Sequence, residues 1–115
     1  MSKFTGEKIL MRIFVGESKK HGHRPLYEAL VELFLKEGFA GATVLKGIAS
    51  FGAHRVYHTH KLLELSADMP MVIEAVESQE KIDMVLPKVE AMIASGMITL
   101  EKVTVIRYTH EHEDD

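Results

Sequence analysis

Cysteine is absent from this sequence of 115 residues. That absence excludes a disulfide framework, thiolate metal sites and thiol catalysis. Long apolar runs are missing too, since no stretch approaches the roughly 20 residues that span a bilayer. The N-terminus lacks the apolar run and small-residue cleavage site of a secretory signal. We therefore expect a cytoplasmic protein that is not inserted in a membrane.

An excess of positive charge is also missing. The sequence has 14 Lys and Arg residues and 17 Asp and Glu residues, which gives a formal net charge of -3. Domains that bind nucleic acids are more often basic, and RNA-binding sheets carry paired aromatics that the predicted strands lack. We therefore expect no nucleic-acid partner. A hydrophobic content of 46% and the chain length predict a single globular domain over residues 1–115.

Hydrophobic periodicity predicts four main strands and two helices. The main strands are expected at residues 8–15, 43–48, 71–76 and 98–105. The helices are expected at residues 26–36 and 79–95. Pro25 suits the first turn of the first helix, and Gly38 suits its C-terminal cap. In the second helix, Pro87 predicts a kink or a split, and Gly96 marks the end.

Two further features are less regular. Residues 61–65 predict a short edge strand, and residues 16–24 predict a loop rich in charge. Near the C-terminus, apolar residues occupy alternate positions, first the even positions Ile98 and Leu100 and then the odd positions Val103 and Val105. This switch from even to odd positions predicts a bulge or tight turn at residues 101–102.

The order of elements is β-α-β-β-α-β, which is typical of an α+β, ferredoxin-like fold. We expect an antiparallel sheet with two helices on one face. Residues 8–15 and 71–76 are apolar on both faces, yet two helices cover only one. Another copy of the chain is the simplest cover for the second face, so the sequence predicts a homo-oligomer.

The segment of residues 41–60, GATVLKGIASFGAHRVYHTH, begins as a strand and breaks at Ser50. Long loops in compact domains are usually functional, and we predict a functional loop over residues 52–61. Gly52 and Arg55 can offer backbone N–H groups and a cation to a phosphate. Alternatively, the glycine supplies only a turn and the arginine is solvated. The charged tail, residues 109–115, is predicted to be flexible.

Three runs carry a family resemblance: GHRPLYEAL at 22–30, GATVLKGIASFG at 41–52 and LLELSADMP at 62–70. In this order and spacing the chain resembles the PII-like signalling superfamily, in particular an uncharacterised PII-like family. The resemblance covers residues 9–108 and implies a ferredoxin-like homotrimer. Such trimers bind an adenine nucleotide (ATP, ADP or AMP) between subunits and engage a transporter or enzyme through the long loop.

The resemblance also implies where the nucleotide would lie, against the loop base and the turn after the second helix. The implied nucleotide-binding residues are Ser50, Phe51, Gly52, Ala53, His54, Arg55, Ser95, Gly96 and Met97. We also predict that Arg107, near the end of the last strand, reaches a neighbouring subunit's cleft. Ser50 stands where PII loops carry the first glycine of a Gly-Phe-Gly run. For Gly96 the alternative is a helix cap, and for Arg107 it is an ordinary surface arginine.

Histidines raise a metal-binding alternative. His54, His58 and His60 lie in one loop, and His21 and His23 lie in another. The divalent-cation-tolerance family CutA, a trimer of the same fold, keeps this alternative open. Loop histidines lack the helical geometry that aligns two rings, so solvated histidines are favoured and no metal site is predicted.

Catalysis has no clear signature in the sequence. Ser18, Ser50 and Ser66 have no convincing base and orienting group at a suitable spacing, and Glu64 and Asp68 are expected at the surface. We therefore expect no catalytic residues and no enzymatic activity.

Overall fold

The computed structural model describes residues 1–48 and 69–110, which form an antiparallel sheet with two helices on one face. The elements are β1 (Ser2–Gly16), β2 (Lys20–His21), β3 (Arg24–Pro25), α1 (Leu26–Lys36), β4 (Thr43–Lys46), β5 (Pro70–Glu77), α2 (Gln79–Met92) and β6 (Met97–Thr109). The main sheet has the order β4-β5-β1-β6, and β2 pairs with β3 in a small hairpin. The predicted ferredoxin-like α+β fold is confirmed. Neither described helix is long and apolar enough to cross a membrane.

The core lies between the helices and one face of the sheet, and β1 is at its centre. Ile13 pairs with Ile73 of β5 on one side and with Ile98 of β6 on the other. Buried residues alternate with partly exposed ones along β1 and β5, as expected for strands with one face on a core. The helices contribute buried side chains to the same cluster, namely Leu26, Leu30, Phe34, Ile82, Val85 and Val89.

The ends of the helices are set by local chemistry. Pro25 directly precedes α1, and Gly38 follows it with a φ of 78°, a left-handed conformation that glycine adopts without strain. At the start of α2, the Ser78 hydroxyl accepts a hydrogen bond from the Lys81 N–H at 3.3 Å. The helix runs unbroken across Pro87 and ends at Met92. Of the predicted kink or split at Pro87, the split is therefore wrong, and so is the predicted end at residue 95.

The last strand also differs from the prediction. β6 pairs with β1 in one uninterrupted register, from Phe14 with Met97 to Ser2 with Thr109. The predicted bulge at residues 101–102 is wrong, because the apolar side chains change sides along a regular strand. Ile98 faces the helices, whereas Val103 lies on the opposite face, where the strand extends past them.

β1 is longer than predicted. Residues 2–8 pair only with β6, because the pairing of β1 with β5 stops at Ile9 and Glu77. These residues and the end of β6 form a two-stranded ribbon that extends beyond the helices. The predicted loop at residues 16–24 contains the short β2 and most of the β2–β3 hairpin. The predicted strand at 61–65 and loop at 52–61 lie outside the described residues, as does most of the charged tail.

The side of the main sheet that faces away from the helices is called the open face here. Its apolar side chains are Phe4, Leu10, Phe14, Leu45, Val72, Val76, Met97, Val103 and Val105. Four of them, Phe4, Leu45, Val76 and Met97, are between 38% and 54% exposed. No element of residues 1–48 and 69–110 covers this face. The expectation that β1 and β5 are apolar on both faces is confirmed.

Candidate functional site

A cleft of about 610 Å³ lies at the edge of the sheet beside the segment that connects α1 to β4, and side chains of the open face form part of its lining. Its volume is within the range of about 300–1,000 Å³ that is typical of small-molecule sites. The apolar part of its lining comes from Phe4, Leu10, Ala75, Val76 and Val105. The polar and charged part comes from Lys8, Thr43, Glu74, Glu77, Lys81 and Arg107. The connecting segment contributes Gly38, Ala40, Gly41 and Ala42.

The carboxylates of the cleft already have partners within the chain. Glu74 accepts a hydrogen bond from Arg12 Nε at 2.8 Å. This bond raises the pKa of the Arg12 guanidinium, because the carboxylate stabilises the protonated form of the arginine. Glu77 is buried and accepts from the Ala40 backbone N–H at 2.8 Å. Both carboxylates are therefore already hydrogen-bonded within the chain, and the Arg12 guanidinium neutralises Glu74.

Lys81 is also engaged. Its ammonium donates to the Gly38 carbonyl oxygen at 2.6 Å and lies 3.9 Å from a Glu77 oxygen. These contacts hold the ammonium against the end of α1, and they leave it less available to a ligand than an unpaired cation would be.

Lys8 and Arg107 are the other two cations of the cleft. Both lie against the ring of Phe4, with Lys8 Nζ 5.1 Å and Arg107 Cζ 5.9 Å from the ring centroid. Across the described ranges 1–48 and 69–110, no carboxylate lies within ion-pair distance of either. Two cations that no described carboxylate neutralises, at the end of an apolar cleft, are suited to bind an anion.

The predicted site residues fall into three groups. Ser50, Phe51, Gly52, Ala53, His54 and Arg55 lie outside the described residues. Ser95, Gly96 and Met97 lie at the turn that begins β6, whereas Arg107 lines the cleft near the strand's other end. Met97 and Arg107 are ten residues apart on a regular strand, or roughly 34 Å at about 3.4 Å per residue. One chain therefore does not bring these two parts together.

Gly96 has a packing role that its sequence context did not reveal. A Cβ at this position would lie 2.6 Å from the Phe14 carbonyl oxygen and 3.2 Å from side-chain atoms of Ile93 and Val15. The glycine therefore allows the turn to approach β1 closely. It is not the cap of α2, because the helix ends four residues earlier.

The turn at residues 95–97 lies at the same end of the sheet as the base of the long loop. Gly47 donates its N–H to the Pro70 carbonyl oxygen at 2.8 Å, so the chain leaves and re-enters the sheet there. Leu45, Val72, Phe14 and Met97 form one cross-strand row at this end. β4 and β6 are the two edges of the sheet, so three strand spacings, about 14 Å, separate the loop base from the turn.

The histidines are not brought into a described metal site. His21 and His23 are exposed on the β2–β3 hairpin. Among residues 1–48 and 69–110, no three His, Cys, Asp or Glu side chains are grouped as metal ligands. His54, His58 and His60 lie outside those ranges.

Arg107 is the one lining residue of the cleft that was predicted; Phe4, Lys8, Thr43 and Glu74 are among those that were not. They come from parts of the sequence that no local motif connects. The signal for the first two was alternation: Phe4, Gly6 and Lys8 continue the spacing of the first strand toward the N-terminus. That signal extends β1 but does not reveal that Arg107 is its neighbour.

Comparison with known proteins agrees with this architecture. CPII of Thiomonas intermedia K12, a nitrogen regulatory PII-like protein solved with ADP, AMP and bicarbonate, is similar with a TM-score of 0.61 at 20% identity. That match covers 89% of this chain and 91% of CPII. A Thermus thermophilus protein described as PII-like has a TM-score of 0.62 at 16% identity, over 88% and 91% of the two chains. These likenesses show a shared fold.

Sequence comparison identifies the family. A UPF0166 protein of Aquifex aeolicus is 37% identical over 100 residues, which are 87% of this chain and 94% of that protein. A UPF0166 protein of Methanocaldococcus jannaschii is 33% identical over 92 residues, 79% and 84% of the two chains. Residues 8–105 match the family DUF190, "Uncharacterized ACR, COG1993". The resemblance to an uncharacterised PII-like family is thereby confirmed, and the chain belongs to the DUF190 family.

Proposed function

We propose that this protein is a PII-like regulator that binds an adenine nucleotide in the cleft and signals through its long loop. The observation that carries the proposal is the cleft itself, which combines apolar walls with Lys8 and Arg107, two cations that have no carboxylate partner in the described part of the chain. The fold it shares with CPII, which was solved with ADP, supports the choice of ligand. The role is binding rather than catalysis.

The cleft offers complementary chemistry for each part of a nucleotide. Its apolar walls suit a base, and the Thr43 side chain and nearby backbone groups can form directional hydrogen bonds to it. The cations Lys8 and Arg107 suit phosphate oxygens. The phosphate groups of a nucleotide neutralise the positive charges of Lys8 and Arg107, which a neutral or cationic ligand does not.

The same position couples the cleft to the predicted loop. β4 runs from Thr43, in the cleft wall, to Lys46, and Gly47 follows at the loop base. At about 3.3 Å per residue the strand spans roughly 13 Å from Thr43 to Gly47. A ligand against this strand biases how residues 52–61 are ordered, and that change alters contact with a partner transporter or enzyme.

We further propose that the protein is a homotrimer whose open faces pack together. Phe14, Val72 and the exposed Met97 form an apolar surface that is unfavourable in contact with water. A closed symmetric assembly buries this surface in every copy. In such a trimer, a neighbouring chain can supply Ser95, Gly96 and Met97, or Arg55, to a cleft that one chain leaves incomplete.

Calorimetry on metal-free protein tests the nucleotide and the assembly together. ATP, ADP and AMP are titrated with and without Mg²⁺, and light scattering measures the mass. We expect a trimer with one saturable site per chain. Arg107→Met should weaken binding about tenfold, because it removes a charge-assisted contact, and Arg55→Ala should also weaken it.

Arg24→Met is the matched control, because it removes one positive charge from the exposed β2–β3 hairpin, outside the cleft. A folded trimer that gives no heat with any of the three nucleotides contradicts the proposal. Tight binding of Cu²⁺ or Zn²⁺ in place of a nucleotide would instead favour the CutA-like alternative with the loop histidines.

A further inference from the structure

We infer that Phe4 is a positioning residue that holds Lys8 and Arg107 together as a binding site for the phosphate groups of the ligand. This inference rests on the proposed function, because it assigns one part of the cleft to one part of a nucleotide. Phe4, Gly6 and Arg107 all lie outside the stretch of residues 8–105 that matches the family.

The strand register brings these residues together. Phe4, Gly6 and Lys8 alternate along β1 on the open face, and Phe4 is the cross-strand partner of Arg107. The Phe4 ring folds over Gly6, where an added Cβ would lie 2.8 Å from the ring's Cζ. Gly6 therefore leaves the space that the ring occupies, within about 6 Å of both cations.

The Phe4 ring contacts both cations without neutralising them. Two nearby cations repel each other, and a carboxylate that holds them together also neutralises them. The negative face of an aromatic ring attracts each cation without cancelling its charge. Phe4 can therefore keep Lys8 and Arg107 close while both remain able to bind an anion.

The other side of the same ribbon provides an internal comparison. Lys3 Nζ lies 5.9 Å from the ring centroid of Tyr108, in a second cation–π pair. Lys3 and Tyr108 are cross-strand partners on the opposite face of the ribbon, and neither lines the cleft. A Lys3 variant thus removes the same charge and the same type of contact at a position where no ligand is proposed.

The test measures the affinities for ADP and for inorganic pyrophosphate by calorimetry. We expect each of the variants Lys8→Met, Phe4→Leu and Gly6→Ala to lower the affinity for ADP and for pyrophosphate about tenfold. Phe4→Tyr keeps the ring and should bind like the wild type, as should Lys3→Met. In Gly6→Ala the added methyl displaces the ring of a flexible side chain, so its melting temperature should stay close to that of the wild type.

The outcomes separate the two claims. If the wild type binds ADP and the Phe4→Leu and Gly6→Ala variants bind it equally well, the positioning role is wrong while the proposed function stands. If pyrophosphate binds in a Phe4-dependent manner but ADP binds no more tightly, the anion site stands and the nucleotide assignment fails. If neither ligand binds the wild type, the inference is overturned.

Discussion

Replacing Glu77 by alanine removes a buried carboxylate that joins the connection between α1 and β4 to the end of β5. Only 7% of the residue is exposed, and one of its oxygens accepts from the Ala40 N–H at 2.8 Å. The other accepts from the Ser78 N–H, at 3.4 Å. The variant leaves the Ala40 N–H without its partner and loosens one wall of the cleft.

The expected loss of stability follows from that hydrogen bond. An unsatisfied buried donor costs about 1–3 kcal/mol. Ala40 is itself exposed, so water can reach part of its backbone, and we expect a loss in the lower part of that range, about 1–2 kcal/mol. The Lys81 contact at 3.9 Å adds little, because the lysine side chain is 41% exposed. The melting temperature should fall by roughly 4–8 °C.

Urea and thermal unfolding, followed by circular dichroism at one fixed protein concentration, measure this loss. Glu77→Gln keeps an acceptor oxygen for Ala40 and should lose less stability than Glu77→Ala. Glu90→Gln, at an exposed position of α2, is the control for loss of a carboxylate. Unfolding midpoints that are the same for Glu77→Ala and Glu90→Gln would refute the reasoning.

Three other changes have defined outcomes. Gly96→Ala should destabilise the fold by about 1–3 kcal/mol, because its Cβ would lie 2.6 Å from the Phe14 carbonyl oxygen, which belongs to the backbone. Pro87→Ala should raise the free energy of unfolding by roughly 1–3 kcal/mol, because it restores a missing N–H inside α2. A hydrogen bond from Arg24 lowers the pKa of Glu32, so the stability from this pair is present above about pH 4.5 and is lost as the pH falls through the lowered pKa. Glu32→Gln should remove that part of the pH dependence.

The first of these changes has a control in the same chain, and each has a result that would contradict it. Gly41→Ala introduces a methyl group that, apart from its chain neighbours, has no atom of a described residue within 4 Å, and it should leave the urea midpoint unchanged. Equal losses for Gly41→Ala and Gly96→Ala would show that close approach is not the cause. A lower melting temperature for Pro87→Ala would contradict the helix argument. For Glu32→Gln, a stability curve between pH 3 and 6 that matches the wild type would contradict the ion-pair argument.

The sequence predicted what is encoded locally. Pro25 marks the start of α1 because it lacks an N–H, and Gly38 marks its end because it adopts a left-handed conformation. Both effects act within a single helical turn. Alternation identified β1 and β5, since a strand with one face on a core repeats every two residues. The prediction that both faces are apolar also needed only local pattern.

What the sequence did not predict depends on pairing between distant residues. The switch of apolar residues from even to odd positions in β6 was interpreted as a bulge. The strand is regular, and its apolar side chains lie on the open face where β1 and β6 extend beyond the helices. The cleft has the same origin. Phe4 and Arg107 are about a hundred residues apart in sequence and become neighbours only through the register of β1 and β6.

The measurement that tests the central claim most directly is an ADP titration followed by nitrogen-15 NMR. If the nucleotide binds in the cleft, the amide signals of residues 38–43 and of Arg107 should shift in a saturable way. The signals of the β2–β3 hairpin, which lies away from the cleft, should stay in place. Shifts confined to the hairpin, or no shifts at saturating ADP, would contradict the account.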